Sequence, residues 1–229
     1  MTRAETSRKT RHEVLAEFRS GEILAAARRV FARRGYDAAT LDEVAQEAGI
    51  AKGTLYLYFP SKEEIFWAAV RERMLELRQR AQSAMRQAEG IQARLRAAIA
   101  VRGELMRTDA EFMRIYLTEF GHLCAHPTRY RKPFRELYLA MARDLAEVLE
   151  AGMKSGELRP GPPLELALTL QFLLRDCFTA RYMGVFADDG LNLENFVFEL
   201  FWCGVRPQSA RPHPAVKSAA PPRRLQKTR

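Results

Sequence analysis

Between residues 40 and 62 the chain carries side chains suited to one kind of chemistry, the reading of a nucleic-acid groove. Lys52 can donate to guanine O6 or N7, or to a phosphate; Gly53 lets the backbone come close; Tyr56 can lay its ring on a thymine methyl. The hydroxyls of Thr40 and Thr54, the Tyr58 phenol, the Lys62 ammonium and the backbone N–H groups of a helix opening at Ser61 are suited to phosphates. Catalytic arrangements find little support. The chain has no phosphate-binding glycine loop, no His-Glu pair at metalloprotease spacing and no nucleophile elbow.

Groove-reading residues need a small helix held against others, and the local sequence supplies one. Thr40 with Glu43 forms a capping box, and Leu41, Val44, Ala45 and Ala48 fall at i, i+3, i+4 and i+7 on one apolar face. Gly49 stops that helix and turns the chain, because glycine enters the left-handed region without steric cost. A second helix over about 52–58 turns Leu55 inward, with Phe59 one turn on, and leaves Lys52, Gly53, Thr54, Tyr56 and Tyr58 outside. Pro60 ends it, and Ser61 with Glu64 forms a second capping box for the next helix. Upstream, Ile23, Ala27, Val30 and Phe31 make the stripe of a preceding helix, closed by Arg33, Arg34 and Gly35. The bland alternative is a three-helix packing unit with no DNA role.

The run Gly-Ile-Ala-Lys-Gly-Thr-Leu-Tyr-Leu-Tyr-Phe-Pro-Ser-Lys-Glu-Glu resembles the signature of tetracycline-repressor (TetR) family regulators, specifically over residues 20 to 70. The resemblance implies an all-α fold of about nine helices: an N-terminal three-helix DNA-binding domain with a helix-turn-helix, and a C-terminal helical domain that binds a ligand and dimerises. It also implies the function, a ligand-responsive repressor that binds a palindromic operator as a homodimer and is released by a small apolar or aromatic effector. The alternative is an architectural, sequence-nonspecific DNA-binding protein using basic ends. Carried over position by position, the DNA-binding set is Thr40, Lys52, Gly53, Thr54, Tyr56, Leu57, Tyr58 and Lys62. Two positions depart from the family's pattern. Ala51 stands where a capping serine is common, and Leu57 where a tyrosine is frequent, so an apolar contact replaces one hydroxyl contact to the DNA backbone.

Charge is concentrated at the ends. Of a net +9, Arg3, Arg8, Lys9 and Arg11 against Glu5 place +3 in residues 1–12, and seven Arg or Lys with no acid place +7 in 206–229, leaving −1 for 13–205. DNA affinity must therefore rest on a few placed groups plus the ends. The expected organisation is a disordered basic arm at 1–12, the helix-turn-helix domain at 13–60, the ligand-binding and dimerisation domain at 61–205, and a disordered Pro-rich basic tail at 206–229. No apolar run reaches the roughly 18 residues of a membrane helix, and the first residues carry no apolar signal region, so a cytoplasmic protein with no membrane partner is expected. Cys124, Cys177 and Cys203 sit far apart in apolar helical pattern and read as small hydrophobes in a reducing compartment.

Beyond residue 60 the pattern is helical throughout: about 61–88, 91–107, a helix opened by a Thr108–Glu111 capping box and ended by His126-Pro127, then 133–154, 164–186 and 193–205. The last two are apolar on more than one face. A domain core buries one, so the second implies a partner, and a homodimer through these two helices is the economical one; two central helices of a monomer are the alternative. Phe112, Met113, Tyr116 and Phe120 share nearly one face of a helix that in the family lines the ligand cavity, and Phe66, Phe134, Phe172 and Tyr182 are candidates to join it. Ordinary core is the plain alternative for such a stripe. Arg175 and Asp176 interrupt an apolar helix, as a ligand's polar anchor or as an interface ion pair. Candidate ligand-binding residues are therefore Phe112, Met113, Tyr116, Phe120, Phe172 and Arg175, for a small-molecule effector whose identity the sequence leaves open. No cofactor is called for. His122, Cys124 and His126 hint at a metal, but Pro127 pushes His126 off helical geometry and no metal site is expected.

Overall fold

The computed structural model describes residues 11–125, 131–186 and 190–207, with side chains described over 18–117, 132–186 and 190–207. Among the described residues there are nine helices and no strand: α1 (Arg11–Ala38), α2 (Leu41–Glu47), α3 (Lys52–Tyr58), α4 (Lys62–Gln87), α5 (Ile91–Thr108), α6 (Ala110–Ala125), α7 (Arg131–Ser155), α8 (Pro163–Tyr182) and α9 (Leu193–Val205). The all-α expectation holds. Most of the arm and tail expected to be disordered, His126-Pro127, and the side chains of Phe120, His122 and Cys124 fall outside the described residues.

Local chemistry explains the boundaries. Thr40 Oγ1 accepts from the Glu43 N–H while the Glu43 carboxylate accepts from the Thr40 N–H, the reciprocal box that starts α2. Gly49 sits at φ 65°, with the Ile50 N–H donating to Ala45 O at 3.0 Å, and the chain reverses into α3. Gly35, at φ 76° and ψ 169°, breaks α1 where the basic pair and glycine predict its end. Ser61 Oγ accepts from the Glu64 N–H and opens α4.

Two expected boundaries shift. The capping residue of α6 is Asp109, not Thr108: its Oδ1 accepts from the Phe112 N–H at 2.9 Å, while the Thr108 hydroxyl turns back to Glu104 O and lengthens α5. A carboxylate beats a hydroxyl there because it also pairs with Arg73. α8 ends at Tyr182 rather than near 186, where the N–H groups of Val185 and Phe186 both return to Ala180 O and Gly184 takes a positive φ.

Two hydrophobic cores result. The first joins α1–α4 to the end of α5, α6 and the first half of α7, and includes Phe31, Val44, Leu55 and Phe66 of the head together with Trp67, Phe112, Tyr116 and Tyr138. The second gathers the end of α4 with α5, α7, α8 and α9. At about 25 cal/mol per Å² of apolar surface, burial on this scale is the main stabilising term. α6 packs directly on α1, and α4 on both α1 and α5, so the three-helix head is joined to the rest by two helices rather than one.

α8 buries Ala167, Leu170, Gln171, Leu174 and Phe178, and α9 buries Leu193, Val197, Phe198, Phe201 and Val205. α9 keeps a second apolar face; the exposed residues of α8 are Glu165, Thr169, Phe172, Asp176 and Tyr182, so its outward side is mixed rather than apolar as the sequence pattern suggests. Phe196 and Leu200, one turn apart on α9, are 42% and 55% exposed, and Phe172 on α8 is also exposed.

Candidate functional site

α3 is held by one deep anchor. Leu55 is fully buried against the first core, flanked by Phe59 and by Tyr58 packed at its edge, so the opposite side of the helix is free to face outward. Lys52, Gly53, Tyr56 and Leu57 are exposed there, Leu57 at 84%, and Thr54 is half-buried. An isolated aliphatic side chain so exposed has no packing role among the described residues.

The face is held by pairs to α1. Glu47 bridges Arg29 at 2.7 Å and Arg33 at 2.6 Å, and Glu43 meets Arg34 at 3.1 Å. The Arg33 and Arg29 hydrogen bonds hold the Glu47 carboxyl below its usual range, and the Thr40 backbone and hydroxyl do the same for Glu43. These exposed pairs contribute little singly; their arrangement fixes the angle of α2 on α1.

The eight residues proposed for DNA contact do not all stand alike. Lys52 Nζ lies 2.7 Å from Asp42 on α2, and that hydrogen bond raises its pKa; its charge is kept, but it must leave or share Asp42 to reach DNA. Thr40 Oγ1 is engaged in its capping box. Lys62 Nζ donates to Asp37 O at 2.9 Å and Ala39 O at 3.0 Å and lies over the Tyr36 ring at 4.7 Å, tying the start of α4 to the α1–α2 corner. Ala51 caps α3 without any side-chain hydrogen bond. At Gly53 an added Cβ would meet nothing within 4 Å. No internal neighbour requires a glycine there.

The proposed ligand residues gather only in part. Phe112 and Tyr116 stack at 5.7 Å and, with Met113, line a small interior space of about 10 Å³ between α4, α5, α6 and α7. Phe172 stacks on Tyr138 at 5.9 Å beside it, and Arg175 lies 5.1 Å over the Phe172 ring while bonding Asp176 at 2.8 Å. Phe134 stacks on Tyr138 at 6.2 Å. Phe66 goes elsewhere: it meets Phe31 at 5.1 Å and Tyr36 at 4.9 Å inside the three-helix head. Tyr182 is exposed. Burial, and after it the neighbouring Tyr116, raises the Tyr138 phenol far above its usual range, while the positive charges of Arg102 and Arg175 pull the other way.

Arg102 and Gln171 stand outside the sets expected from sequence, yet they are the only buried charged or amide side chains among the described residues. Periodicity holds the signal. Ile91, Leu95, Ala98, Ile99, Arg102 and Leu105 fall on one stripe of α5, and Gln171 lies within the buried stripe of α8. Both line a second interior space of about 30 Å³ between α4, α5, α7 and α8. It shares Met85 and Asp144 with an open surface groove of about 360 Å³ that also carries Arg86 and Arg94.

Comparison with known proteins accounts for this combination of reading head and helical body. Residues 23–69 match the family model of bacterial regulatory proteins, tetR family. The chain is 31% identical over 154 residues to the HTH-type transcriptional repressor KstR2 of Rhodococcus jostii, covering 65% of this chain and 72% of that one. It is 27% identical over 185 residues to the fatty acid metabolism regulator protein of Bacillus subtilis, covering 80% of this chain and 94% of that one. Among solved structures, the transcriptional regulator FadR of Bacillus subtilis in complex with stearoyl-CoA superimposes with a TM-score of 0.73 at 25% identity, over 81% of this chain and 99% of that one. These likenesses favour a sequence-specific regulator over the architectural alternative. With a helix-turn-helix whose second helix is free to enter a groove, the chain belongs to the tetR family of bacterial regulatory proteins and is a DNA-binding transcriptional regulator, not an enzyme.

Proposed function

We propose that the protein is a homodimeric repressor of a palindromic operator, released when an acyl-chain effector occupies the interior between α4, α5, α6, α7 and α8. Residues 13–60 act as the reading head and 61–205 as the effector and dimer domain. The observation that carries the DNA reading is α3 itself: seven residues, one buried anchor, and an outward face of Lys52, Gly53, Tyr56 and Leu57 left exposed by the described residues. A helix of this kind presents its N-terminal residues to base edges in the major groove. Thr40, Thr54, Tyr58 and Lys62 are assigned to phosphates, Thr40 and Lys62 by exchanging or sharing their present partners, and Leu57 adds apolar contact.

Dimerisation through α8 and α9 rests on the second apolar face of α9 and on the exposed Phe172 of α8. Phe172, Phe196 and Leu200 form apolar surface that a symmetric partner would cover, in a four-helix arrangement. The effector class rests on two supports. The Bacillus subtilis FadR structure holds stearoyl-CoA, and the interior here is lined by Met74, Met106, Met113 and Met141, deformable side chains suited to a flexible chain. Because Met113 and Tyr116 share one core with α1, an effector that displaces α6 and α4 tilts α3 relative to its twin.

Competition binding tests the reading. Lys52→Ala and Tyr56→Ala are each expected to lose about 1–3 kcal/mol on the operator and to relax one position per half-site. Equal losses on operator and random DNA would remove the base-reading role. Palmitoyl-CoA is expected to weaken operator binding by a coupling of about 1–3 kcal/mol, with operator weakening palmitoyl-CoA binding by the same factor.

A further inference from the structure

Arg102 is 6% exposed, and among the described residues no carboxylate pairs with it. The nearby Asp144 is taken by Arg78, through Nε at 2.6 Å and Nη2 at 2.8 Å. The Arg102 Nε has no hydrogen-bond partner, and neither do the amide nitrogen and oxygen of Gln171, which is 0% exposed. Both side chains line one interior space, and Arg102 also lines the space beneath Phe112 and Tyr116, so Arg102 borders both.

A buried cation without a counter-charge is costly, and an apolar residue of the same size would be cheaper for folding alone. Its planar fork of N–H donors matches a carboxylate, with the Gln171 amide able to add one further donor. Apart from the mutually paired Arg78 and Asp144, the other walls of the two spaces are aliphatic, methionine or the rings of Phe112 and Tyr116, which suits an apolar chain continuing from that head group.

We propose that Arg102 and Gln171 form a head-group site for the carboxylate of a long-chain organic acid, whose chain enters beneath Phe112 and Tyr116 by parting Met74, Met106 and Met113, because the space there, about 10 Å³, holds no more than a water as it stands. The proposal rests on the interior being the effector site and narrows it: a free acid brings the charge Arg102 lacks, whereas a thioester or ester brings only a neutral carbonyl.

The test measures direct binding of hexadecanoate, methyl hexadecanoate and palmitoyl-CoA, below micelle formation, to the full chain without DNA. Wild type, Arg102→Met and Gln171→Leu are compared, with melting temperatures of all three in the absence of ligand. Hexadecanoate is expected to bind wild type at least about 30-fold more tightly than its methyl ester, and Arg102→Met to erase that difference. Gln171→Leu should keep the preference for the acid and lower its affinity several-fold. Arg102→Met should also melt at a higher temperature than wild type when unliganded, since the unpaired charge is gone. Acid binding unchanged in Arg102→Met, or an ester bound as tightly as the acid, overturns the head-group site. Palmitoyl-CoA bound equally by wild type and Arg102→Met, with the acid bound by neither, overturns it while leaving the acyl effector standing. Binding of none of the three overturns both.

Discussion

Gly53→Ala separates folding from DNA reading in one methyl group. Gly53 is the second residue of α3, has no positive φ, and a Cβ there meets no atom within 4 Å. Alanine is favoured over glycine in a helix interior by about 0.8–1 kcal/mol; discounted by roughly half for the first turn, the variant should gain about 0.5 kcal/mol. For a chain of this size that is a rise in melting temperature of about 1–2 °C. DNA should report the opposite sign. If Gly53 lets the backbone lie against the groove, the methyl displaces α3 and loses about one good base contact, about 1–3 kcal/mol per half-site. Two half-sites make that about 2–6 kcal/mol per dimer, at least about 30-fold in affinity. Urea unfolding reads the first quantity and fluorescence anisotropy with operator, at one fixed salt concentration, the second. Operator affinity equal to wild type would refute the reasoning, since the glycine would then have no groove to fit.

Ala51→Ser supplies the missing cap of α3 at φ −68°, ψ 143° and should stabilise the protein by about 1 kcal/mol in urea unfolding. Lys62→Ala should lose stability as well as DNA affinity, because its ammonium bonds two carbonyls; a variant with altered DNA binding and an unchanged unfolding midpoint would confine it to phosphate contact. Glu43 and Glu47 have carboxyl pKa values lowered by folding from 4.5, so their contribution is present above that value and lost as pH falls through the lowered folded values. The urea midpoint should therefore drop between pH 6 and pH 3, and Glu47→Gln should flatten the drop.

The head was legible from sequence because its rules are local. Thr40 and Ser61 cap within three residues, Gly49 turns within one, and Leu55 is the one aliphatic of α3 on the inward side. Where a long-range partner decides, local reading fails. Thr108 and Asp109 are both competent caps, and only Arg73, far back on α4, selects Asp109. Phe66 has the right type for a ligand wall, yet α4 turns it toward Phe31 and Tyr36 of the head. Lys62 looks like a free surface cation until the α1–α2 corner brings the Asp37 and Ala39 carbonyls to it. Arg102 and Gln171 were hidden for a different reason. Each reads as one polar residue on an apolar stripe, and only packing α5 against α8 shows that two such residues line one interior space.

Selection of binding sites from a random duplex library, with the full chain and no added effector, reads the operator's symmetry directly. A palindromic consensus is expected, its two half-sites centred one helical turn apart, about 34–36 Å, or farther if the DNA is distorted or two dimers share a site. Selection with Tyr56→Ala should relax one symmetric pair of positions and leave the rest. A single asymmetric half-site, or no consensus at all, would contradict the proposed homodimeric repressor.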